Sequence, residues 1–173
     1  MARALDPATR RGEILDQAFA LFARVGFRAL TMRDVARELN ASTGTLYHWF
    51  SGKEELWTAV VERQSLRLVN EASGALPDGG PEARLVALAD WVTLREVDLQ
   101  AVLRVALEYQ GQHPDGREVL ARAVRGLRAA VEAQIPQPPA AAARTLTLLF
   151  GVLATRALDP TGPDLRAMLQ VDG

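Results

Sequence analysis

The chain of 173 residues contains no cysteine and has a formal net charge of −1. Its length allows one domain or two small ones with a sizeable core, and the lack of cysteine and of a signal-like apolar segment near the N-terminus predicts a reducing, cytoplasmic location. The longest apolar run, at 146–154, is shorter than the roughly 20 residues that span a bilayer, so no membrane segment is expected.

Charge is unevenly distributed along the chain. Residues 1–53 contain eight basic and five acidic side chains, a net charge of +3, whereas residues 54–173 contain 12 basic and 16 acidic ones, a net charge of −4. An excess of positive charge in one segment is typical of a surface that binds nucleic acid. Taken alone, however, so small an excess favours ordinary solvated surface charge.

Apolar residues recur at helical spacing, and β-branched residues do not form alternating runs. This pattern predicts an all-α fold. Residues 1–9 are expected to form a flexible polar arm, and the first helix is predicted over about 10–25, ended by Gly26. Its apolar stripe comprises Ile14, Ala18, Phe22 and Val25. The arginines of this region that could reach phosphates are Arg3, Arg10 and Arg11.

The segment from Thr31 to Lys53, TMRDVARELNASTGTLYHWFSGK, is predicted to form two short helices joined by a tight turn. The Thr31 hydroxyl can accept a hydrogen bond from the amide of Asp34 and begin the first helix. Asn40 tolerates the left-handed conformation and ends it, and Ser42 can cap the second helix. The residues expected to face the core are Val35, Ala36, Leu39, Leu46 and Phe50. This arrangement presents its second helix to the major groove of DNA.

Three consecutive stretches, ILDQAFALFARVGF, LTMRDVARELNASTGTLYHWF and SGKEEL, together resemble the DNA-binding domain of the TetR family of transcriptional repressors. The resemblance covers about the first third of the chain. It implies a three-helix DNA-binding domain over 8–54, with the helix-turn-helix at about 31–50, followed by a helical ligand-sensing and dimerisation domain over 55–173. One departure is Leu39, Asn40 and Ala41, where the family usually has Ala-Gly-Val; asparagine keeps the turn feasible.

The resemblance also implies which residues contact DNA: Thr31, Arg33, Ser42, Thr43, Gly44, Thr45, Tyr47, His48 and Lys53. Arg33 has a planar fork that can bond a guanine edge, which we favour slightly over a phosphate contact. Thr43 and Thr45 suit a thymine methyl or a nearby phosphate, and Gly44 lets the backbone approach the duplex.

Tyr47, His48 and Lys53 resemble the phosphate contacts of the family, which position the protein on DNA without reading its sequence. For His48, a surface histidine at a helix end is the alternative that residue type alone supports about equally. The surrounding motif favours the DNA contact.

The rest of the chain is also predicted to be helical. A fourth helix over about 51–73 links the DNA-binding part to the second domain, before a loop at 74–81 that is rich in Gly and Pro. Residues 82–110 are expected to form two helices with a bend near 93–98, the second of them buried on nearly all sides.

Two sets of charged residues lie on the later helices. Arg104 and Glu108 are four residues apart, and a surface ion pair is favoured over a ligand-anchoring pair. The helix predicted over 117–135 carries an arginine face that is expected to be solvated rather than to form a second DNA site. The arginines of that face are Arg122, Arg125 and Arg128.

A long helix over 140–158 has an apolar surface too broad for a single core. The resemblance implies that the last two helices pair with their copies in a homodimer, which reads a palindromic operator in double-stranded DNA. It also implies a small-molecule effector. The weak candidates for the effector pocket, for which core packing is the favoured alternative, are Trp57, Trp91, Tyr109 and Phe150.

An enzyme is the competing class of protein. The chain has two histidines, no cysteine, no Gly-rich phosphate loop and no acidic cluster at metal-ligand spacing, so no catalytic residue, metal or cofactor is predicted. A further alternative is a helical protein-interaction module without specific DNA binding. The sequence therefore predicts a DNA-binding transcriptional regulator, most simply a repressor that an effector releases from its operator.

Overall fold

A computed structural model of the chain describes residues 6–111, 115–136 and 138–170. Within these residues every regular element is an α-helix, which confirms the predicted all-α fold. The helices are α1 (Pro7–Val25), α2 (Met32–Glu38), α3 (Thr43–Trp49), α4 (Lys53–Ala75), α5 (Pro81–Leu94), α6 (Glu96–Gln110), α7 (Gly116–Gln134), α8 (Pro139–Leu158) and α9 (Leu165–Leu169). Residues 1–5 of the predicted arm, with Arg3, lie outside the described residues, as do 112–114 and 137.

Helix α1 begins earlier than predicted because Asp6 caps it. The Asp6 carboxylate accepts a hydrogen bond from the amide of Thr9, and Pro7 occupies the first helical position, where its missing N–H would have had no partner in the helix. Residues 7–9 are therefore helical and not part of an arm. The buried members of the predicted stripe are Ile14, Ala18 and Phe22. Val25 is 41% exposed, because it lies in the last turn of the helix.

The bend predicted near 93–98 is present, since α5 ends at Leu94 and α6 begins at Glu96. The predicted burial of α6 on nearly all sides is wrong: Val97 and Leu107 are 80% and 54% exposed. Few residues of α6 are buried, and they belong to two different compact units of the chain. The buried apolar residues of α6 are Leu99 in one unit and Val105 and Tyr109 in the other.

The chain forms two compact units. The first comprises 6–64 with 104–111 and 115–120, and the second comprises 65–103, 121–136 and 138–170. Helices α4, α6 and α7 each contribute residues to both units. The functional boundary between 54 and 55 stays a prediction.

Each unit has an apolar core of its own. In the first unit, α2 packs on α1 and on α3, and α1, α2, α3 and the start of α4 all bury apolar side chains. In the second, α9 packs on α5 and α8. The buried cluster of the second unit comprises Leu88, Ala89, Val92, Leu99, Ile135, Val152, Leu153 and Leu165.

Helix α8 is unusually apolar for its exposure. The stretch Ala140–Leu158 has a mean hydropathy of 1.3, yet 28% of it is buried, so by length and composition alone it could cross a membrane. The sequence-based expectation of no membrane segment counted only uninterrupted apolar residues, whereas this helix also contains Ala, Thr, Gly and Arg among its larger apolar residues. One such helix is weak evidence for a membrane segment.

Candidate nucleic-acid interface

Thr31 begins α2 through a reciprocal set of hydrogen bonds, as predicted. The Asp34 amide donates to the Thr31 hydroxyl at 3.2 Å, and the Asp34 carboxylate accepts from the Thr31 amide at 3.0 Å and from its hydroxyl at 2.6 Å. These bonds to the charged form lower the pKa of Asp34, with a smaller contribution from Arg37. The first residue of the motif is therefore fixed by local chemistry.

The turn between α2 and α3 has the predicted left-handed residue. Asn40 has a φ of 49°, and the chain continues with Ala41 donating its amide proton to the carbonyl oxygen of Ala36 at 2.9 Å. Asparagine adopts this conformation more readily than most residues. The departure from the usual family pattern at this point therefore keeps the turn intact.

Ser42 caps α3, also as predicted. Its hydroxyl accepts a hydrogen bond from the Thr45 amide at 2.9 Å and lies 2.8 Å from the Thr45 hydroxyl. Leu46 and Phe50, four residues apart, are buried and anchor the helix on the rest of the first unit. The opposite side of α3 is therefore the side that faces away from the core.

That outer side carries the residues predicted to meet DNA. Gly44, Tyr47 and His48 are exposed, with Tyr47 55% accessible, whereas Thr43 and Thr45 are half-buried. A Cβ atom at Gly44 would contact nothing closer than the Ser42 hydroxyl oxygen at 3.7 Å. Packing inside the protein therefore does not require a glycine here, although glycine weakens a helix. The missing side chain leaves the α3 backbone open to an approaching partner.

Arg33 lies in the first turn of α2 with an exposed side chain, and it forms no ion pair with any residue that the structure describes. Neighbouring arginines are engaged: Arg37 pairs with Asp34 at 2.9 Å, and the Arg11 guanidinium lies 5.1 Å from the centre of the Phe50 ring. Arg10, the other described arginine expected to reach phosphates, pairs with Glu13 at 3.1 Å. Arg33 thus keeps its full set of donors for an external acceptor.

Lys53 has partners that the sequence did not predict. Its ammonium nitrogen donates to the carbonyl oxygens of Phe27 and Leu30 at 2.9 and 2.7 Å and lies 4.0 Å from the centre of the Phe27 ring. Two of its three donors are therefore directed to the backbone between α1 and α2. This geometry differs from that of a lysine extended towards a phosphate.

The four aromatic residues proposed for an effector pocket lie in different units. Trp57 and Tyr109 belong to the first unit, where their rings stack at 3.6 Å with 9° between the planes. Both are almost fully buried. They pack against each other in the core, which agrees with the favoured alternative of core packing for these two residues. Trp91 and Phe150 belong to the second unit and are half-buried.

Arg104 and Glu108 form contacts that sequence reasoning missed. Arg104 donates to the carbonyl oxygen of Ala23 at 2.9 Å, and a Glu108 carboxylate oxygen accepts from the Arg28 amide at 3.3 Å. The partners are 81 and 80 residues apart along the chain, so no local pattern could have shown them. Both side chains hold the backbone at and just after the end of α1.

No group of three or more His, Cys, Asp or Glu side chains that could hold a metal ion occurs in the part of the chain that the structure describes. A small cavity in the second unit has room for about one water molecule and is lined by Val92, Thr93, Glu96, Val152, Leu153, Arg156, Asp164 and Leu165. None of the four candidate aromatic residues borders it. The first unit, with its exposed α3, is therefore the better candidate site.

Comparison with known proteins points to the same segment. Residues 14–60 match the family model for bacterial regulatory proteins of the TetR family. The HTH-type transcriptional repressor KstR2 of Mycobacterium tuberculosis is 50% identical over 48 residues, which are 28% of this chain and 24% of KstR2. The repressor AcnR of Corynebacterium efficiens is 30% identical over 128 residues, which are 69% of this chain and 64% of AcnR.

The chain thus spans about a quarter of KstR2 and just under two thirds of AcnR. Among solved structures, SCO7518 of Streptomyces coelicolor A3(2) is similar with a TM-score of 0.78 and 23% identity, over 94% of this chain and 95% of that one. At this identity the likeness concerns the fold. The family match over 14–60 and the likeness to these repressors show that the chain is similar to bacterial regulatory proteins of the TetR family.

Proposed function

We propose that the protein is a sequence-specific transcriptional repressor that binds a palindromic operator as a homodimer and is released by a small-molecule effector. It would act in the cytoplasm and not as an enzyme. The observation that carries the proposal is the outer side of α3, where Gly44, Tyr47 and His48 are exposed while Leu46 and Phe50 anchor the helix. A short, firmly anchored helix with an open backbone and exposed polar groups suits the major groove.

Roles within this site follow from the side-chain chemistry. Arg33, exposed and without an ion pair among the described residues, would bond a base edge, most simply a guanine. Thr43 and Thr45 would lie against thymine methyl groups or phosphates, and Tyr47 and His48 would bond phosphates. Thr31 and Ser42 act first as helix caps, and their position at helix N-termini also favours a nearby phosphate.

A homodimer is supported by the exposed side of α8. Gly151 is exposed, and a Cβ atom there would meet nothing within 4 Å; Leu158 is 90% exposed. The small residues that share this side are Ala143, Thr147, Gly151 and Ala154. A helix with so much apolar surface is stabilised by a second partner, and small residues let two helices approach closely. α9 has five residues and would contribute less, through Met168, which is 42% exposed.

An effector would act by favouring one conformation of the dimer over another. It can release DNA only if it binds the non-binding conformation more tightly, and its differential affinity sets the size of the shift. Trp91 and Phe150 in the second unit remain the candidates for its pocket. Trp91 is half-buried against the apolar cluster of that unit, the kind of surface that small molecules use.

The test is selection of bound sequences from a random duplex pool, followed by affinity measurements on the enriched duplex. We expect an inverted repeat whose half-sites are about one helical turn apart, or a multiple of it. Tyr47→Ala should weaken binding to all duplexes, whereas Arg33→Ala should lower discrimination at one base pair of each half-site by about 1–3 kcal/mol. Arg128→Ala is the matched arginine control, because Arg128 pairs on its own helix with Glu132 at 3.6 Å.

Two results would contradict the proposal. Failure to enrich any sequence, with weak binding that does not change with salt, would favour a helical protein-interaction module instead. Enrichment of a sequence whose readout is unchanged in both Arg33→Ala and Thr45→Ala would remove these residues from the base contacts.

A further inference from the structure

Three side chains from later helices hold the last turn of α1 and the backbone that connects α1 to α2. Lys53 at the start of α4 bonds the carbonyl oxygens of Phe27 and Leu30 at 2.9 and 2.7 Å. From α6, Glu108 accepts from the Arg28 amide at 3.3 Å, and Arg104 donates to the last turn of α1 at 2.9 Å. We name Lys53, Arg104 and Glu108 the connection clamp. All three belong to the first unit.

The clamp forms hydrogen bonds with backbone groups that have no partner within a helix. The connection lies between two helices, and carbonyl groups at the end of a helix lack intrahelical partners. Glu108 lies so close that a Cβ atom at Gly26, which has a φ of 88°, would be 3.2 Å from its carboxylate oxygen. The connection is therefore fixed by specific polar contacts as well as by burial of Phe27.

The same turn of α6 also contacts the connection through its apolar side. Tyr109, next to Glu108, packs edge-on against the ring of Phe27 with 5.3 Å between ring centres. It also stacks on the ring of Trp57 of α4. α6 thus binds both the backbone and the first core side chain of the connection, immediately before the helix that carries Arg33.

We propose that Arg104 and Glu108, together with Lys53, are positioning residues for DNA binding. They set the angle at which α2, with α3 packed on it, leaves α1, and Arg104 and Glu108 do so without contacting DNA. This inference rests on the proposed function. It replaces the two interpretations that the sequence suggested for Arg104 and Glu108, a surface ion pair or a ligand anchor, with bonds to the backbone of the DNA-binding unit.

Glu108 provides the sharpest test, because loss of its charge and loss of its hydrogen bond would change DNA affinity in opposite directions. If Glu108 acted only through its charge, Glu108→Ala and Glu108→Gln would both strengthen DNA binding by removing a negative charge. As a positioning residue, Glu108→Ala should weaken binding to the selected duplex about three- to tenfold, the effect of one hydrogen bond. Glu108→Gln keeps an acceptor oxygen and should bind nearly as the wild type does.

Arg104→Met keeps the aliphatic stem but removes the donors, and it should weaken binding by a similar factor. The base preference and the slope of log affinity against log salt should not change, because no phosphate contact is lost. The matched controls are Arg128→Met and Glu132→Ala on α7, whose pair lies within one helix; both should bind as the wild type does. Circular dichroism establishes that each variant is folded at the assay temperature.

Wild-type affinity in both Glu108→Ala and Arg104→Met would overturn the proposal, and so would a salt slope smaller by about 0.9 in Arg104→Met, the mark of a direct phosphate contact. Hydrogen exchange separates this proposal from the proposed function. Glu108→Ala should speed exchange of the Arg28 amide several-fold, whether or not any duplex is enriched in the selection. Unchanged exchange at Arg28 would show that the clamp does not hold the connection.

Discussion

Lys53 bonds the backbone of its own chain at a position where the family resemblance implies a phosphate contact. It is the single lysine among the 20 basic Lys and Arg residues of the chain. A compact ammonium group bonds two carbonyl oxygens while lying over the Phe27 ring, whereas arginine presents its donors in a fixed planar fork. The residue type therefore matches the inward contacts.

We predict that Lys53→Met lowers the free energy of unfolding by about 1–3 kcal/mol, because it removes hydrogen bonds from a charged donor to two carbonyl groups. Lys53→Arg should recover only part of this loss. Urea unfolding followed by circular dichroism measures both changes. Arg24→Met is the control, since Arg24 is well exposed and pairs with Glu38 on the surface, where such a pair contributes about 0–1 kcal/mol.

DNA binding by the same variant distinguishes the two roles of Lys53. If its third donor also reaches a phosphate, the salt slope falls by about 0.9 in Lys53→Met. An unchanged slope with weaker binding assigns Lys53 to positioning alone. Stability equal to that of the wild type would show that the bonds to Phe27 and Leu30 contribute nothing to the fold.

At the scale of single elements, α2 depends on its first residue. The helix has seven residues, too few to be stable without caps and packing. The side chains of Thr31 and Asp34 form a hydrogen bond with each other, and each accepts one from the backbone amide of the other residue. Because α2 carries Arg33 and leads into α3, its start also sets the position of the proposed reading surface.

We predict that Thr31→Ala lowers the free energy of unfolding at pH 7 by about 1 kcal/mol, the usual cost of losing an N-cap hydroxyl. The loss should shrink in acid. The pKa of Asp34 lies below its ordinary value of 3.8 in the folded protein, chiefly because of its bonds to Thr31. Its contribution is therefore present above that ordinary pKa and disappears as the pH falls through the lowered one.

Urea unfolding of the wild type and Thr31→Ala at pH 7 and in strong acid measures this difference. Thr93→Ala is the control, because the Thr93 hydroxyl bonds the carbonyl oxygen of Ala89 in the preceding turn of α5 and caps no helix. An equal loss at both pH values would show that Asp34 gains nothing from Thr31.

Helix α6 links the two units through its own continuity. Its first residues belong to the second unit, and its last residues, including Arg104 and Glu108, belong to the first. The clamp residues of α6 therefore lie within the first unit together with the backbone that they bond.

At the scale of the whole molecule, the proposed reading of a palindrome requires two copies. One helix in one groove contacts few base pairs, whereas two domains related by a two-fold axis bind two half-sites at once. The exposed small residues of α8 are the surface that would bring the copies together. Assembly and DNA affinity should therefore fail together when that surface is changed.

We predict that Gly151→Glu converts a dimer into a monomer and lowers affinity for the inverted repeat at least tenfold, because a charged side chain enters the helix contact. Gly126→Glu on α7 is the matched control: Gly126 is also an exposed helical glycine, and a Cβ atom there would meet nothing within 4 Å. Sedimentation velocity measures the mass of each variant. A Gly151→Glu protein that remains a dimer would place the interface elsewhere.

The sequence by itself determined the elements of the DNA-binding unit. Thr31 and Ser42 bond amides three residues away, and Asn40 adopts the left-handed conformation within its own turn. Apolar spacing of three or four residues placed Leu46 and Phe50 on the inner face of α3. Each of these features depends on atoms that are close along the chain, so a local pattern is sufficient to predict it.

The tertiary structure alone decided which distant side chains meet. Trp57 stacks on Tyr109 in the core, and Arg104 and Glu108 bond backbone groups about 80 residues away. The period of a helix shows which side chains share a face, but the group opposite that face is set by how separate helices pack. That packing gave Lys53 its inward partners and left Arg33 open to solvent.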